Sequence, residues 1–408
     1  MEAVMHIVYV GYPGFPVGHA QVERQKLLAR GLVACGCEVT VLSRYGVLSQ
    51  SKGANINPSG LYEEVRYCFT SGIAYRPDSF LLRNYYKLKG LVNEARLLWK
   101  LRSEKKLDAV IITTNSFYNV LFYSLLAYVC QAQSILDNVE YWGQRQGSGL
   151  LQRIDHYLYD NHAFRFTTKV ICISNYLLDI VLKQAPQKPV LKVPVIVDLA
   201  KFYTNGNLRE PYFLFCGSAS YFDTIRLIIE AYELLGNTTY KLYIVSSGPK
   251  HLLDRVKQRI AQSTYQGSIQ LFSELKYDDL ILLYTSSKAL LIPLMNSEQD
   301  KARFPHKIGE YCASSKTIIT TKVGEIKYYF KDKYNALIAE KATPKCFAEK
   351  MNFIINNPEL GEVLGERSFA VAKQHFDHLK LGRKVYKFIS QQEEVKTPIP
   401  YQVQTIYY

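Results

Sequence analysis

The sequence predicts an α/β protein built from two doubly wound parallel-sheet domains. Apolar, β-branched runs alternate with segments of helical period along the whole chain, which is typical of parallel strands covered by helices on both faces. The chain has 408 residues, and 48% of them are hydrophobic, which is enough for two sizeable cores. Four prolines interrupt the alternation in residues 185–211. We therefore expect two domains joined at this stretch, with a ligand cleft outside the carboxyl ends of their strands.

The first half is predicted to begin with a strand, and a signal peptide is not expected there. "HIVYVGY" is an apolar run without a cationic leader, and a loop rich in glycine and proline follows it. The next segment has apolar residues at close to helical period and Gly36 as a stop signal. Further strands are predicted where β-branched runs recur, at residues 38–44, 108–114, 133–139 and 169–174.

The second half repeats the same alternation. Strands are predicted at residues 212–218, 241–249, 269–272, 288–294 and 316–321, with helical patterns between most of them. The sequence thus predicts two Rossmann-like halves with the following boundaries: a first domain at 1–190, a linker at 191–210, a second domain at 211–375, a terminal helix at 376–395 that crosses back to the first domain, and a tail at 396–408.

The composition narrows the classes of function. The formal net charge is +14, which suits an anionic partner such as a nucleotide, an acidic membrane face or nucleic acid. The eight cysteines form no CxxC pair and no zinc-type spacing, and they are expected to be free thiols in a reducing compartment. No apolar run is long enough to span a bilayer. These features predict a cytoplasmic chain.

The stretch "FPHKIGEYCASSKTIITTK", residues 304–322, combines a short helix with a buried strand. At 100° per residue, Ile308 and Cys312 lie on the side that packs on the sheet, and Lys307 and Glu310 lie on the other side. A lysine beside a phosphate and a carboxylate that accepts two vicinal hydroxyls would suit a nucleoside diphosphate. A solvated Lys–Glu pair on a capped helix is the alternative interpretation of the same residues.

Residues 304–340 resemble the donor-site segment of GT-B glycosyltransferases, especially the retaining family 4, also called glycosyl transferases group 1. The common form there is a P-x-K-x-x-E-Y-x-A helix, a strand, a G-E pair and a D-x-N-x-L turn. Other segments resemble the family in the same order along the chain: residues 14–44, 169–183, 193–202, 241–249 and 364–377. The resemblance implies a GT-B fold, in which the first domain binds the acceptor and the second binds a nucleotide sugar.

The resemblance also implies a set of site residues. The donor nucleotide sugar would be bound by Gly18, Gly217, Ser218, Glu298, Lys307 and Glu310. Asp137 and Glu140 follow a strand of the first domain and are the candidate catalytic groups, to orient the acceptor hydroxyl or stabilise positive charge on the sugar. No cofactor and no metal are implied, since no DxD motif is placed to hold one.

The chain departs from the family pattern at two places. The family often has a first glutamate eight positions before the second one, and here Ala302 stands eight positions before Glu310. The family also often has Arg and Lys after the first strand of the second domain, where this chain has "CGSASYFDTIR". Diphosphate binding would then depend on Lys307, on Arg303 or on backbone N–H groups, and an inactive homologue is an open alternative.

A basic and aromatic segment forms the remaining feature. From Arg76 to Lys106 the chain has nine Lys or Arg and three Asp or Glu, with tyrosine, tryptophan and leucine interleaved. The part from Arg83 to Lys106 could lie on an anionic membrane surface, or it could be the solvated face of a core helix. Nucleic acid is not expected as a partner, because no recognised binding module accompanies the charge.

Together these observations predict a glycosyltransferase of the hexosyltransferase type. It would move a sugar from a nucleotide-diphosphate sugar to a polysaccharide or lipid-linked glycan, with retention, in the cytoplasm or peripherally on the inner face of the cytoplasmic membrane. Two alternatives remain open: a sugar-nucleotide epimerase or hydrolase of the same fold, and a catalytically degenerate protein that binds a glycan or serves as a scaffold.

Overall fold

A computed structural model of the chain describes residues 4–18, 20–53, 55–104, 106–143, 149–203, 210–236 and 239–390. They form two compact units. Unit 1 contains the chain up to Ile196, the segment Ala302–Phe304 and the chain from His378 onward, and unit 2 contains Val197–Lys301 and Pro305–Asp377. The predicted fold class of two parallel-sheet α/β domains is confirmed. The predicted tail at 396–408 and the end of the predicted terminal helix, 391–395, lie outside the described residues.

The sheet of unit 1 has eight strands in the order β3-β4-β2-β1-β5-β6-β7-β8. The strands are β1 (His6–Val10), β2 (Glu38–Ser43), β3 (Ser59–Tyr62), β4 (Val65–Phe69), β5 (Ala109–Ile112), β6 (Gln133–Asn138), β7 (Lys169–Cys172) and β8 (Val190–Lys192). Every neighbouring pair is parallel except β3 and β4. Glu63 and Glu64 turn this antiparallel edge hairpin with positive φ angles of 46° and 66°. No local pattern indicates this hairpin, because glycine or asparagine usually takes such positions.

The helices of unit 1 cover both faces of its sheet. They are α1 (Ala20–Val33), α2 (Gln50–Gly53), α3 (Phe80–Ser103), α4 (Phe117–Val129), α5 (Leu150–His162) and α6 (Asn175–Gln184), and a 3₁₀ turn, Ala163–Phe166, follows α5. Parallel crossovers are right-handed, and the strand order therefore assigns α1 to one face and α3, α4 and α5 to the other. Within this layer, α4 exposes several large apolar side chains, among them Leu125 and Tyr128.

The last described helix, α15 (His378–Ile389), packs on α1 in unit 1. Two glycines allow the close approach: a Cβ at Gly31 would lie 2.5 Å from the His378 carbonyl oxygen, and one at Gly382 would lie 2.4 Å from Gly31 Cα. Lys169 Nζ donates to the carbonyl oxygens of Phe388 at 2.6 Å and Ile389 at 3.1 Å. A cation at the carboxyl end of a helix is favourable, and this one holds α15 against the sheet.

The boundary after β7 differs from the sequence-based expectation. The sequence placed a linker at 191–210, but Val190–Lys192 pairs with β7 as a strand, and Val193 and Ile196 are fully buried in the core of unit 1. Apolar residues around Pro194 therefore belong to unit 1, although prolines suggested an irregular connection. The first segment of unit 1 ends at Ile196.

Unit 2 has a six-stranded parallel sheet in the order β11-β10-β9-β12-β13-β14. The strands are β9 (Tyr212–Ser218), β10 (Lys241–Ser247), β11 (Ile269–Phe272), β12 (Ala289–Ile292), β13 (Thr317–Thr321) and β14 (Leu337–Ala339). The helices are α7 (Phe222–Leu235), α8 (Lys250–Ala261), α9 (Tyr277–Ser286), α10 (Glu298–Ala302), α11 (Lys307–Ala313), α12 (Ile326–Tyr329), α13 (Pro344–Asn356) and α14 (Pro358–His375). β9 is central, and its carboxyl end is the place where a ligand of such a sheet binds.

Candidate active site

The site residues of unit 2 converge where β9 ends and α11 begins. The hydroxyl of Tyr311, which is fully buried on α11, accepts a hydrogen bond from the backbone N–H of Cys216 on β9 at 3.1 Å. This bond fixes the seven-residue helix against the central strand. The helix starts at Lys307, and the carbonyl of Pro305 accepts the N–H of Ile308 at 3.0 Å. The proline thus precedes the helix and shapes its entry.

Glu310 lies almost buried on α11, although the sequence placed it on the outward side. It is 6% exposed. The hydroxyl of Tyr277 donates to its Oε1 at 3.1 Å, and that of Tyr284 donates to its Oε2 at 3.4 Å. Burial, followed by the nearby Cys216 and Glu310, holds the pKa of Tyr284 well above its ordinary value, and the phenol therefore stays protonated and donates. Each carboxylate oxygen retains a second lone pair that can accept from a ligand hydroxyl.

Lys307 places a positive charge next to this carboxylate. Its side chain is half-buried. Burial alone lowers the pKa of a lysine, but the adjacent Cys216 sulfur and the Glu310 carboxylate raise the pKa of Lys307 above its ordinary value. The ammonium group is therefore charged throughout the neutral range and can bind an anionic ligand group.

Gly217 and Ser218 form the end of β9, beside the end of β10. A Cβ at Gly217 would approach the ring of Phe215 to 2.8 Å, which favours glycine at this position. Ser218 Oγ accepts the N–H of Ser220 at 3.2 Å and caps a 3₁₀ turn, Ala219–Tyr221. The backbone at the end of β9 is thereby held in one conformation next to Lys307 and Glu310.

Glu298, the remaining donor candidate in unit 2, follows β12 and differs from Glu310 in its exposure to solvent. Glu298 is exposed in the first turn of α10. The buried acid of this loop is Asp300, whose Oδ2 accepts the N–H of Met295 at 2.7 Å. Asp300 therefore shapes the loop, and the role of Glu298 toward a donor stays a prediction.

Ala302 stands where the family often has its first glutamate, and it is fully buried. Its carbonyl accepts a hydrogen bond from the Ser174 hydroxyl within unit 1. A glutamate side chain at this position would bury an additional carboxylate, which is costly without a partner. The position that often carries this acid in the family is thus occupied here by a buried alanine.

In unit 1, Asp137 lies inside β6 and is bound by an arginine that no sequence motif indicates. Arg24 on α1 donates to both carboxylate oxygens of Asp137 at 3.1 Å, and both side chains are almost fully buried. The same guanidinium also donates to the carbonyl oxygens of Val193 at 3.0 Å and Pro194 at 2.6 Å. This network joins α1, β6 and the end of unit 1, which gives Asp137 a structural role. The sequence separation of 113 positions between Arg24 and Asp137 left no local signal of the pair.

Glu140 is half-buried just after β6. Burial raises the pKa of Tyr12 on the loop after β1, and the negative charge of Glu140 raises it further. The following loop is well held: the Trp142 ring stacks on His156 at 3.9 Å, and Asp160 accepts the N–H groups of Trp142 and Gly143 at 3.1 and 2.9 Å. Glu140 thus lies at the carboxyl end of the unit 1 sheet, close to Tyr12 and just before a loop that is fixed by several contacts.

Gly18 lies near the α1 end of the loop that joins β1 to α1. This loop needs glycine at two other positions, since Gly11 and Gly14 have φ angles of 101° and 111°. A Cβ at Gly18 would lie 2.4 Å from Val22 Cγ2 in the first turn of α1. Gly18 therefore lets the loop backbone pack closely on α1, and its role toward a donor stays a prediction.

The described residues include no group of three or more His, Cys, Asp or Glu side chains arranged to hold a metal ion. In the same part of the chain, no helix combines the length and the apolar character needed to cross a membrane.

Comparison with known protein families identifies the kind of domain that most of unit 2 forms. The family model described as "Glycosyl transferases group 1" matches residues 199–371. Residues 199–371 form a glycosyl transferases group 1 domain. This domain contains Gly217, Ser218, Glu298, Lys307 and Glu310. Asp137, Glu140 and Gly18 lie outside the match.

One relative and several solved structures are similar to this chain. An uncharacterized glycosyltransferase of Methanocaldococcus jannaschii is 24% identical over 233 residues, a match that spans 56% of this chain and 62% of that relative. Sucrose-phosphate synthase from Thermosynechococcus elongatus superposes with a TM-score of 0.75 at 12% identity, over 95% of this chain and 99% of that one. Anabaena HepE in complex with UDP and glucose gives 0.71 at 12% identity, over 95% and 100%. The predicted GT-B fold is confirmed.

The Arg24–Asp137 pair gives a prediction that separates a structural from a catalytic role in unit 1. Asp137→Ala leaves a buried guanidinium without its anion, and we expect it to lower the free energy of unfolding by about 3–5 kcal/mol. Glu140→Gln is the matched change at a half-buried site and should alter stability by less than about 0.5 kcal/mol. Urea unfolding followed by circular dichroism measures both. Equal stability of Asp137→Ala and wild type would contradict the structural role.

Proposed function

We propose that the chain is a glycosyltransferase that moves a sugar from a nucleoside diphosphate sugar to a glycan acceptor, with retention of configuration. The observation that carries this proposal is the placement of Glu310 and Lys307 together on α11 in the group 1 domain, where Glu310 is almost buried and its charge raises the pKa of Lys307. A buried carboxylate with free lone pairs suits the vicinal hydroxyls of a ribose, and the charged lysine suits a diphosphate. The transferred sugar is proposed to be a hexose.

The proposed roles follow the chemistry of a departing diphosphate. As the bond from the anomeric carbon to the diphosphate oxygen breaks, negative charge accumulates on the leaving group, and Lys307 stabilises it. Gly217 and Ser218 present backbone close to the same group, and Glu298 is proposed to contact the donor from the loop after β12. These groups supply the electrostatic stabilisation without a metal ion.

Unit 1 is proposed to contribute the acceptor side. Glu140 stands two residues before Trp142, whose loop is fixed by His156 and Asp160, and its carboxyl group is proposed to orient an acceptor hydroxyl or take its proton. The Arg24 contacts make Asp137 the less suitable of the two candidate catalytic acids. Gly18 is proposed to let the loop after β1 approach the donor. The acceptor is proposed to be a polysaccharide or a lipid-linked glycan at the inner face of the cytoplasmic membrane.

A second candidate function is favoured by Ala302. Because a buried alanine replaces the acid that the family often uses, the group 1 domain could bind a nucleotide sugar without transferring the sugar. The two functions differ in whether the protein transfers the sugar and releases the nucleotide. A panel of UDP-, GDP-, ADP- and CMP-sugars, incubated with the protein and a glycan acceptor, should yield free nucleotide and a glycosylated product for one donor. Stabilisation by a nucleotide sugar without release of nucleotide would favour the binding protein.

The Glu310 assignment predicts a specific loss of donor affinity. Glu310→Gln removes the negative charge that accepts the ribose hydroxyls, and calorimetry should show an affinity loss of about 1.5–3 kcal/mol for the cognate nucleotide. The substitution keeps one acceptor oxygen, which limits the damage to the tyrosine contacts. Glu233→Gln removes a carboxylate elsewhere in unit 2, where it pairs with Arg259, and serves as the control. Similar affinity losses for the two variants would remove Glu310 from the site.

The proposed role of Lys307 predicts that its substitution lowers the affinity for a phosphorylated ligand more than the affinity for a nucleoside. Lys307→Met should weaken a nucleoside diphosphate by about tenfold or more, because one charge-assisted hydrogen bond is lost, while the free nucleoside should change by less than about threefold. Lys316→Met, at a half-buried lysine next to the amino end of β13, is the matched control. If the nucleoside and its diphosphate weaken equally, Lys307 does not contact phosphate.

A further inference from the structure

The outer surface of α4 and α5 in unit 1 is apolar where a surface helix is normally polar. On α4, which contains no charged residue, Tyr118, Leu125 and Tyr128 are 55%, 63% and 80% exposed, although Val120, Tyr123 and Ala127 already bury the opposite side. On α5, the exposed apolar residues recur at helical spacing: Leu150, Leu151, Ile154 and Tyr157. A contiguous apolar surface of this kind marks an interaction site.

The two helices and α3 form one continuous layer. α4 packs against α5, and the ring of Phe117 contacts that of exposed Phe166 at 5.6 Å. On the other side, the hydroxyl of Tyr123 on α4 donates to Glu94 on α3 at 2.7 Å. α3 adds further exposed apolar side chains: Phe80, Leu81, Leu82, Tyr85, Leu88 and Trp99. We call the exposed side chains of these three helices the α3–α5 face.

The charges of the α3–α5 face are positive at its surface. α3 contains six basic residues, Arg83, Lys87, Lys89, Arg96, Lys100 and Arg102. Its one acid, Glu94, is fully buried and accepts from Arg44 at 3.1 Å. The acids of α5 also point inward, since Asp155 accepts from the Ser116 hydroxyl and Asp160 from backbone N–H groups. The face thus combines a basic helix with an apolar, uncharged neighbour.

We propose that the α3–α5 face docks on an anionic lipid bilayer, with the basic residues of α3 at the headgroups and the apolar residues of α4 and α5 in the interfacial region. The inference rests on the proposed function, for which it assigns a membrane-bound acceptor. A second copy of the chain is the less suitable occupant, because a two-fold interface through this face would bring two basic helices together.

The test is cosedimentation of the full chain with vesicles of neutral phosphatidylcholine, or of phosphatidylcholine mixed with phosphatidylglycerol, at low and high salt. Wild type should bind the anionic vesicles at least about tenfold more tightly than neutral ones at low salt. High salt should remove most of this preference, because the Debye length falls to about 3 Å at 1 M.

Two variants separate the two parts of the face. Replacing Lys87, Lys89, Arg96 and Lys100 with glutamine should abolish the preference for anionic lipid. Replacing Leu125 and Leu151 with glutamine should weaken binding by about tenfold or more at both salt concentrations, since apolar contacts are not screened. The control replaces Leu234 and Leu379, exposed leucines on α7 and α15, with glutamine and should bind as wild type does.

Wild type that stays in the supernatant with anionic vesicles at low salt would overturn the proposal. A dimer in light scattering that Leu125→Gln and Leu151→Gln dissociate, without vesicle binding, would overturn it in favour of contact between copies. Nucleotide affinity measured without vesicles keeps this test separate from the proposed function. If nucleotide binds and vesicles do not, the docking proposal alone fails; if vesicles bind and no nucleotide sugar does, docking stands and the proposed function fails.

Discussion

Glu310 retains an acidic side chain at a position that is 6% exposed, and the proposed donor site depends on how this burial is stabilised. Removing a carboxylate from water is costly unless hydrogen bonds compensate for it. Two tyrosine hydroxyls from α9 provide part of this compensation, and the positive charge of nearby Lys307 adds to it. Phenols donate one hydrogen each, so the carboxylate keeps lone pairs that a ligand can use. The same interactions that stabilise the fold leave it ready to bind.

Asp137 and Glu310 are both buried acids, but their partners suit them to different roles. Asp137 is enclosed by the guanidinium of Arg24, which neutralises its charge and occupies both oxygens. That pair is suited to fixing α1 and the end of unit 1. Glu310 is surrounded by neutral phenols, and its neighbouring cation is a lysine whose three donors can also contact a ligand. Half-buried Glu140 is the acid of unit 1 that remains suited to a substrate hydroxyl.

The sequence was sufficient for the features that depend on local pattern. Alternating apolar runs located the main strands of both sheets, and the motif around Glu310, together with further segments that resemble the family in the same order, indicated the group 1 domain. Prediction from the sequence was wrong where a single local signal was misleading. Prolines near Pro194 suggested a linker, yet the flanking valine and isoleucine side chains are buried in unit 1. The edge hairpin at Glu63 and Glu64 lacked the glycine or asparagine that usually marks such a turn.

Long-range partners could not be read from the sequence. Helical periodicity placed Glu310 on the outward side of α11. The periodicity of one helix gives no information about a neighbouring helix such as α9, which supplies Tyr277 and Tyr284. Arg24 was missed for the same reason, since its partner is on another element far along the chain. The apolar surface of α4 was equally hidden: its sequence resembles a buried helix, and only the structure shows that several of its side chains are exposed.

The most direct measurement is a crystal structure of the protein with its cognate nucleoside diphosphate, chosen by calorimetry from a panel of bases. The account predicts that the ribose hydroxyls donate to the two oxygens of Glu310, and that diphosphate oxygens lie within hydrogen-bonding distance of Lys307 Nζ and the backbone at Gly217 and Ser218. A nucleotide bound elsewhere, with Glu310 still contacting only the tyrosine hydroxyls, would contradict it.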